Sequence, residues 1–144
     1  MSKRPAGPGA DLFRARLNGK DMRGRDLRNA NLALANLKEA NLVDAQLGQA
    51  LLFGAHLESA DLTGADLHGA DLSEADLFGA NLRGANLAGA DLRRANLALA
   101  NLRGALLTNA ILREANLKGA DLTDAQLEGA DLTRAELGDG EAAE

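Results

Sequence analysis

Ala60-Asp61-Leu62-Thr63-Gly64-Ala65-Asp66-Leu67-His68-Gly69 is one five-residue phrase written twice. The phrase is Ala, then Asp or Asn, then Leu, then a variable residue, then often Gly. From Ala10 to Asp139 the chain divides into 26 consecutive blocks of this kind, with no insertion. The first slot is Ala in 24 blocks, with Lys20 and Arg25 as the exceptions, and the third is Leu in 25, with Met22 as the exception. The second slot is Asp in ten blocks and Asn in eight, and the fifth is Gly in eleven. Repetition at a fixed short period is the mark of a solenoid.

The period itself removes the simpler folds. Ala and Leu are strong helix formers, but at about 100° per residue successive third-slot leucines step by about 140° and form no stripe. A straight strand alternates its faces with period two, so an odd spacing sends every second Leu to the wrong side. All leucines point one way only if the chain turns a corner every five residues. Gly in the fifth slot fits such a corner, because it reaches the positive φ that tight turns use. Asn29 and Asn109 are the next most tolerant residues there. Leu34, Glu39, Arg94 and Leu99 are not, so a different turn type is expected at those corners.

Composition agrees with a narrow, regular interior. The chain has 144 residues, 46% hydrophobic but only 2% aromatic, so its buried mass comes from Ala and Leu. It has no Cys, hence no disulfide framework or thiolate metal site. The N-terminal residues carry no apolar run of the secretory kind, and no stretch approaches the roughly 18 apolar residues of a membrane span. A cytoplasmic protein with no membrane contact is expected. Charge runs in four bands: net +5 over residues 1–28, -7 over 29–79, +4 over 80–118 and -7 over 119–144.

Stretches such as residues 60–69 resemble the pentapeptide-repeat family, and the resemblance covers about nine-tenths of the chain. It implies an all-β fold, a right-handed quadrilateral β-helix with four blocks per coil. The 26 blocks then make about 6.5 coils. At a strand-like spacing of ~4.8 Å the rod is about 31 Å long. First-slot Ala and third-slot Leu fill the interior, and the other slots face out. Residues 1–9 are expected to be a disordered N-terminal segment, 10–139 the β-helix, and 140–144 a short acidic tail. A second-slot Asp or Asn can bond nearby turn backbone, so these residues have a structural use before any functional one.

No catalytic, cofactor or metal site emerges. His56 and His68 fall in outward slots on different faces and read as solvated histidines. Asp61, Asp66, Asp71 and Asp76 form a belt, one per face, and cannot share an ion that takes six or more oxygens. A step of 20 residues per coil stacks Arg93 with Arg113 and Arg83 with Arg103. These arginines suit phosphates, but no aromatic platform accompanies them, so pairing with carboxylates is favoured and no direct nucleic-acid partner is expected. Leu51, Leu106 and Ile111 break the polar second slot. Phe53 shares a face with Leu51, and the coil step is read as placing Leu34 one coil below Phe53. Leu34, Leu51 and Phe53 are the candidate protein contact, with local variation as the plain alternative. Phe13 and Phe78 are read as too far along the rod to join them.

Two functions compete. One is a non-catalytic interaction or scaffolding module with an unidentified protein partner. The other comes from the resemblance: some members mimic duplex DNA, bind DNA gyrase and protect it from topoisomerase poisons. The charge fits mimicry poorly. A duplex shows one negative charge per ~1.7 Å, about 18 over this length, whereas here 21 acids are mixed with 16 bases. There is also no third-slot Phe, no projecting loop and no long C-terminal segment. A regularised or engineered repeat is a third reading, opposed by Lys20, Arg25 and the apolar second slots. Exposed strand edges invite pairing. The N-terminal end looks guarded by Pro5, Gly7, Pro8, Gly9, Lys20 and Arg25. The C-terminal end, with Leu132 and Leu137, is therefore expected to form a homodimer that strengthens with salt as the -7 bands are screened. Far-UV circular dichroism should show β-type signal and no helical double minimum; a helix-dominated spectrum would rule out the solenoid.

Overall fold

In the computed structural model residues 7–138 are described, and they form one rod built of single-residue parallel bridges. Every second-slot residue bridges the one 20 positions away, as in Asp11↔Asn31↔Leu51↔Asp71. Four such columns exist, so each coil has four blocks and four faces. We number the faces by their first members: the first begins at Asp11, the second at Arg16, the third at Asp21 and the fourth at Asp26.

Backbone hydrogen bonding explains why the phrase has five letters. In the block Ala60–Gly64, Ala60 N–H donates to the Leu57 carbonyl at 3.0 Å and closes the corner. Asp61 N–H donates to Ala40 in the coil on the N-terminal side, at 3.0 Å. Leu62 and Gly64 donate to Asn81 and Arg83 in the coil on the other side, at 2.7 and 2.9 Å. The remaining donor, Thr63 N–H, meets the Asp61 side chain: Oδ1 accepts at 3.1 Å. Every N–H of the block has a partner, as a compact backbone requires. The second-slot acid or amide is thus a built-in fifth acceptor.

The corners correct one expectation. Leu34, Glu39, Arg94 and Leu99 adopt φ of 59°, 58°, 58° and 60°, the same left-handed conformation as Gly64 at 68°. A positive φ at the third turn position alone is the type II pattern. Stacking dictates this uniformity, because the fifth-slot N–H must reach the fourth-slot carbonyl of the next coil. A different turn at one corner would break that column. Each non-glycine residue held there costs about 1–2 kcal/mol, offset by the bonds on either side.

The chain also joins the coil earlier than the expected boundary at Ala10. Ala10 N–H donates to Gly7 C=O at 3.0 Å, and Gly9 N–H donates to Arg28 C=O at 2.8 Å. Pro8 and Gly9 occupy the turn positions that suit them, with Gly9 at φ 69°. The remainder of the expected 1–9 segment, and the 140–144 tail, lie outside the described residues.

The interior is a ladder of leucines with alanines at the corners. From Leu27 to Leu117 every third-slot Leu is at most 1% exposed, and among the described residues no polar or charged residue is buried. Lys20 and Arg25 are tolerated in the Ala slot because they lie in the first coil, where both remain at least partly open to solvent. Leu122, Leu127, Leu132 and Leu137 in the last coil are only half-buried, since no further described coil covers them. Replacing fully buried Leu77 should therefore differ sharply from replacing Thr63. Leu77→Lys places an unpaired charge in the core and should cost several kcal/mol. Thr63→Lys loses one side-chain bond to Asp61 and should cost about 1 kcal/mol. Equal melting temperatures would contradict the inside–outside assignment.

Candidate functional site

The turn acceptor defines what is ordinary on the surface, and so what is not. All ten aspartates and eight asparagines of the second slot accept from the N–H two residues on. The Asp61–Asp76 belt is explained in this way. Asp61 and Asp71 each also accept from a hydroxyl, Thr63 Oγ1 and Ser73 Oγ, at 2.6 Å. Asp66 meets His68 Nδ1 at 2.9 Å, and Asp76 accepts from Asn96 Nδ2 at 3.2 Å. The four lie on four different faces, and among the described residues no cluster of His, Cys, Asp or Glu could hold a metal ion. His56 and His68 sit on the second and fourth faces and do not converge.

The basic columns are largely engaged. Arg93 forks onto Asp91 with Nη2–Oδ2 at 2.6 Å, Arg103 reaches Asp121 at 3.3 Å, and Arg113 pairs with Asp131. The neighbouring corner carries a ladder that sequence reading did not pick out. Glu74, Arg94, Glu114 and Arg134 follow at 20-residue steps and pair in series, at 3.3, 3.1 and 3.3 Å. Alternating charge at that spacing was available in the sequence as a signal. Hydrogen bonding from Arg94, with its charge, holds the Glu114 carboxyl below its usual range.

The unusual part lies on the first face. Leu51 stands between the polar residues Asn31 and Asp71 of its column, and is 47% exposed. Phe53, two residues on, is 42% exposed. Because Leu51 has no acceptor, the Phe53 N–H lacks the turn bond that Thr63 and Ser73 make. Leu34 does not lie below Phe53, as the sequence reading placed it. Its register puts it below Gly54, and its N–H donates to Phe53 C=O at 2.9 Å. Gly54 permits this: a Cβ there would come within 2.6 Å of Leu34 Cδ2. Leu34 is half-buried and fills the corner beside the two exposed residues.

Phe13 was read as too distant, yet it stands in the same fourth-slot column as Phe53. Two coil steps separate them, roughly 10 Å, with only Ala33 between. The strip therefore runs from Phe13, 49% exposed with the Arg14 guanidinium 5.3 Å from its ring centroid, to Phe53. Phe78 belongs to the second face. Leu99, 59% exposed, lies one coil above Gly79 and so beside it. Leu106 and Ile111, also singled out from sequence, are half-buried. Leu132 and Leu137 lie in the last described coil and are half-buried. Among the described residues no helix is long and apolar enough to cross a membrane.

Comparison with known proteins agrees with the repeat. The family described as "Pentapeptide repeats" matches in eight copies, over residues 9–42, 40–77, 75–113 and 100–139. No curated protein matches the chain. Among solved structures, alr5209 from Nostoc Pcc 7120 is 40% identical, with 67% of this chain and 77% of that one covered and a TM-score of 0.49. Rfr23 from the cyanobacterium Cyanothece 51142 is 32% identical, with 90% and 88% covered and a TM-score of 0.40. QnrB1, described as a plasmid-mediated fluoroquinolone resistance protein, is 23% identical, with 90% and 71% covered and a TM-score of 0.38.

Acid should remove the contribution that Asp131 makes to the C-terminal part of the rod. Bonds from Thr133 Oγ1 and Arg113, in that order, hold the Asp131 carboxyl down at about 2. A carboxyl lowered by folding adds stability above its unfolded pKa, near 3.9, and that stability is lost as pH falls towards 2. The melting temperature should drop between pH 4 and pH 2. The drop should be shallower in Asp131→Asn, which keeps the turn acceptor but cannot titrate. Identical pH profiles would show that Asp131 is not a titrating stabiliser.

Proposed function

This chain belongs to the pentapeptide-repeat family, a right-handed quadrilateral β-helix, and from that premise we propose that it is a non-catalytic protein-binding scaffold whose contact surface is the strip formed by Phe13, Leu34, Leu51 and Phe53. Proteins of this family are generally structural or binding modules. One observation carries the reading. At position 51 the repeat gives up its turn acceptor, leaves the Phe53 N–H uncapped, and exposes Leu51 beside Phe53. A site that forgoes local stability for exposed apolar area is what selection for contact produces. The rigid rod adds a second advantage, because a preformed surface loses little conformational freedom on binding.

DNA mimicry with DNA gyrase as partner is the competing reading, and charge weighs against it. The first-face column mixes Asp11, Asn31, Leu51, Asp71, Asp91, Ile111 and Asp131, so its acids are interrupted. Several carboxylates are already neutralised by guanidinium groups of the rod itself, Asp91 and Glu114 among them. Supercoiling by gyrase is accordingly expected to be unchanged at high concentrations of this protein.

Leu51→Asn separates contact from folding. It restores the acceptor for Phe53 N–H and should stabilise the rod by about 0.5–1.5 kcal/mol. It also removes the centre of the strip, so proteins captured from host extract by the wild type should be lost. A Leu51→Asn rod that melts higher yet captures the same proteins would overturn the assignment of the strip.

A further inference from the structure

The two ends of the rod are unlike, and they are complementary. At the C-terminal end the third- and fifth-slot N–H groups, those of Leu127, Gly129 and Leu132 among them, have no acceptor among the described residues, and the first-slot carbonyls of Ala125 and Ala130 have no donor. At the N-terminal end the groups with no partner among the described residues are the second-slot carbonyl and N–H of Arg16 and the fourth-slot carbonyl of Asn18. Each block thus offers two donors and one acceptor at one end, and one donor and two acceptors at the other. Every coil junction inside the rod is made from these same three bonds per block. Bringing two C-terminal ends together, through Leu132 and Leu137, sets two donors against two donors in each block and reverses the chain direction that the parallel bridges need.

Charge points the same way. In the first described coil Arg14, Arg16, Lys20, Arg23, Arg25 and Arg28 outnumber Asp11, Asp21 and Asp26. In the last coil Asp121, Asp124, Glu128, Asp131 and Glu136 outnumber Arg134. Like ends repel and unlike ends attract. Both ends also leave leucines half-buried, Leu12 and Leu17 at one and Leu132 and Leu137 at the other.

We propose that a second copy of this chain docks head to tail, the C-terminal coil of one copy against the N-terminal coil of the next, so that the backbone ladder continues across the junction. This contact uses the ends and leaves Leu51 and Phe53 of the side strip free. A head-to-tail contact does not close on itself, so it builds open series and not a fixed dimer. Association is concentration-dependent, and weakened by salt as the opposite charges are screened.

Sedimentation velocity over rising protein concentration, at low and high salt, tests this on the full chain. The expected result is a weight-average mass that climbs past two protomers without a plateau and falls when salt is added. A monomer at every concentration would overturn the proposal, as would a dimer plateau that strengthens with salt, the behaviour of a C-terminal homodimer. Two charge-reversal variants at exposed positions sharpen the test: Arg14→Glu with Lys20→Glu, and Asp124→Lys with Glu128→Lys. With circular dichroism unchanged, each alone should stay monomeric, and an equimolar mixture should regain association. An Arg14→Glu, Lys20→Glu variant that associates like the wild type would sink the head-to-tail arrangement.

Discussion

Each block presents five backbone N–H groups, and the rest of the molecule follows from how they are satisfied. Three go to neighbouring coils, one closes the corner, and one is left for the second-slot side chain. That arrangement fixes the corner conformation, so Leu34 and Arg94 adopt it although their side chains disfavour it. It explains why Asp and Asn fill a surface slot that hydropathy alone would leave free. It also makes the coil a template for another coil, since the bonds that join coils are the same at every level. A solenoid of this kind gains its stability from neighbour contacts, and its ends carry whatever bonding the last coils leave unused.

Function reads as departure from that pattern. Carboxylates that look like a metal belt are turn acceptors, and arginines that look like a phosphate track are mostly paired with acids of the rod. What remains is the stretch of the first face where the acceptor is missing and apolar side chains stand out. Further along, the same side of the rod carries the Glu74–Arg94–Glu114–Arg134 ladder. Exposed ion pairs contribute little each, but a continuous series gives that part of the rod a closed, self-satisfied surface. The apolar strip and the ionic ladder divide one side of the molecule into a part suited to contact and a part suited to water.

The coil was legible in the sequence because period and packing are the same fact: a Leu every fifth residue has one geometric solution. The corners were less legible. Propensity argued for a second turn type at Glu39 and Leu99, and long-range bonding between coils overrode it. The contact strip was partly legible. Leu51 and Phe53 stand out as apolar residues in polar slots, whereas Phe13 reads as too far along the rod until the 20-residue column places it two coils beneath Phe53. Leu34 is displaced by one position, since a single residue moves a side chain from a face to a corner. The complementary ends needed the hydrogen bonds themselves, because no residue type announces which of its backbone groups is unpaired.

Amide hydrogen exchange measured residue by residue tests the backbone assignment most directly. Third-slot amides such as Leu62 and Leu77, bonded between coils, should exchange only on global opening. Among fourth-slot amides, Thr63 and Ser73 should be protected by their second-slot acceptors, and Phe53, Asn18 and Thr108, which lack one, should exchange much faster. Equal protection of Phe53 and Thr63 would contradict the role given to the second slot, and with it the reason for singling out the strip around Leu51.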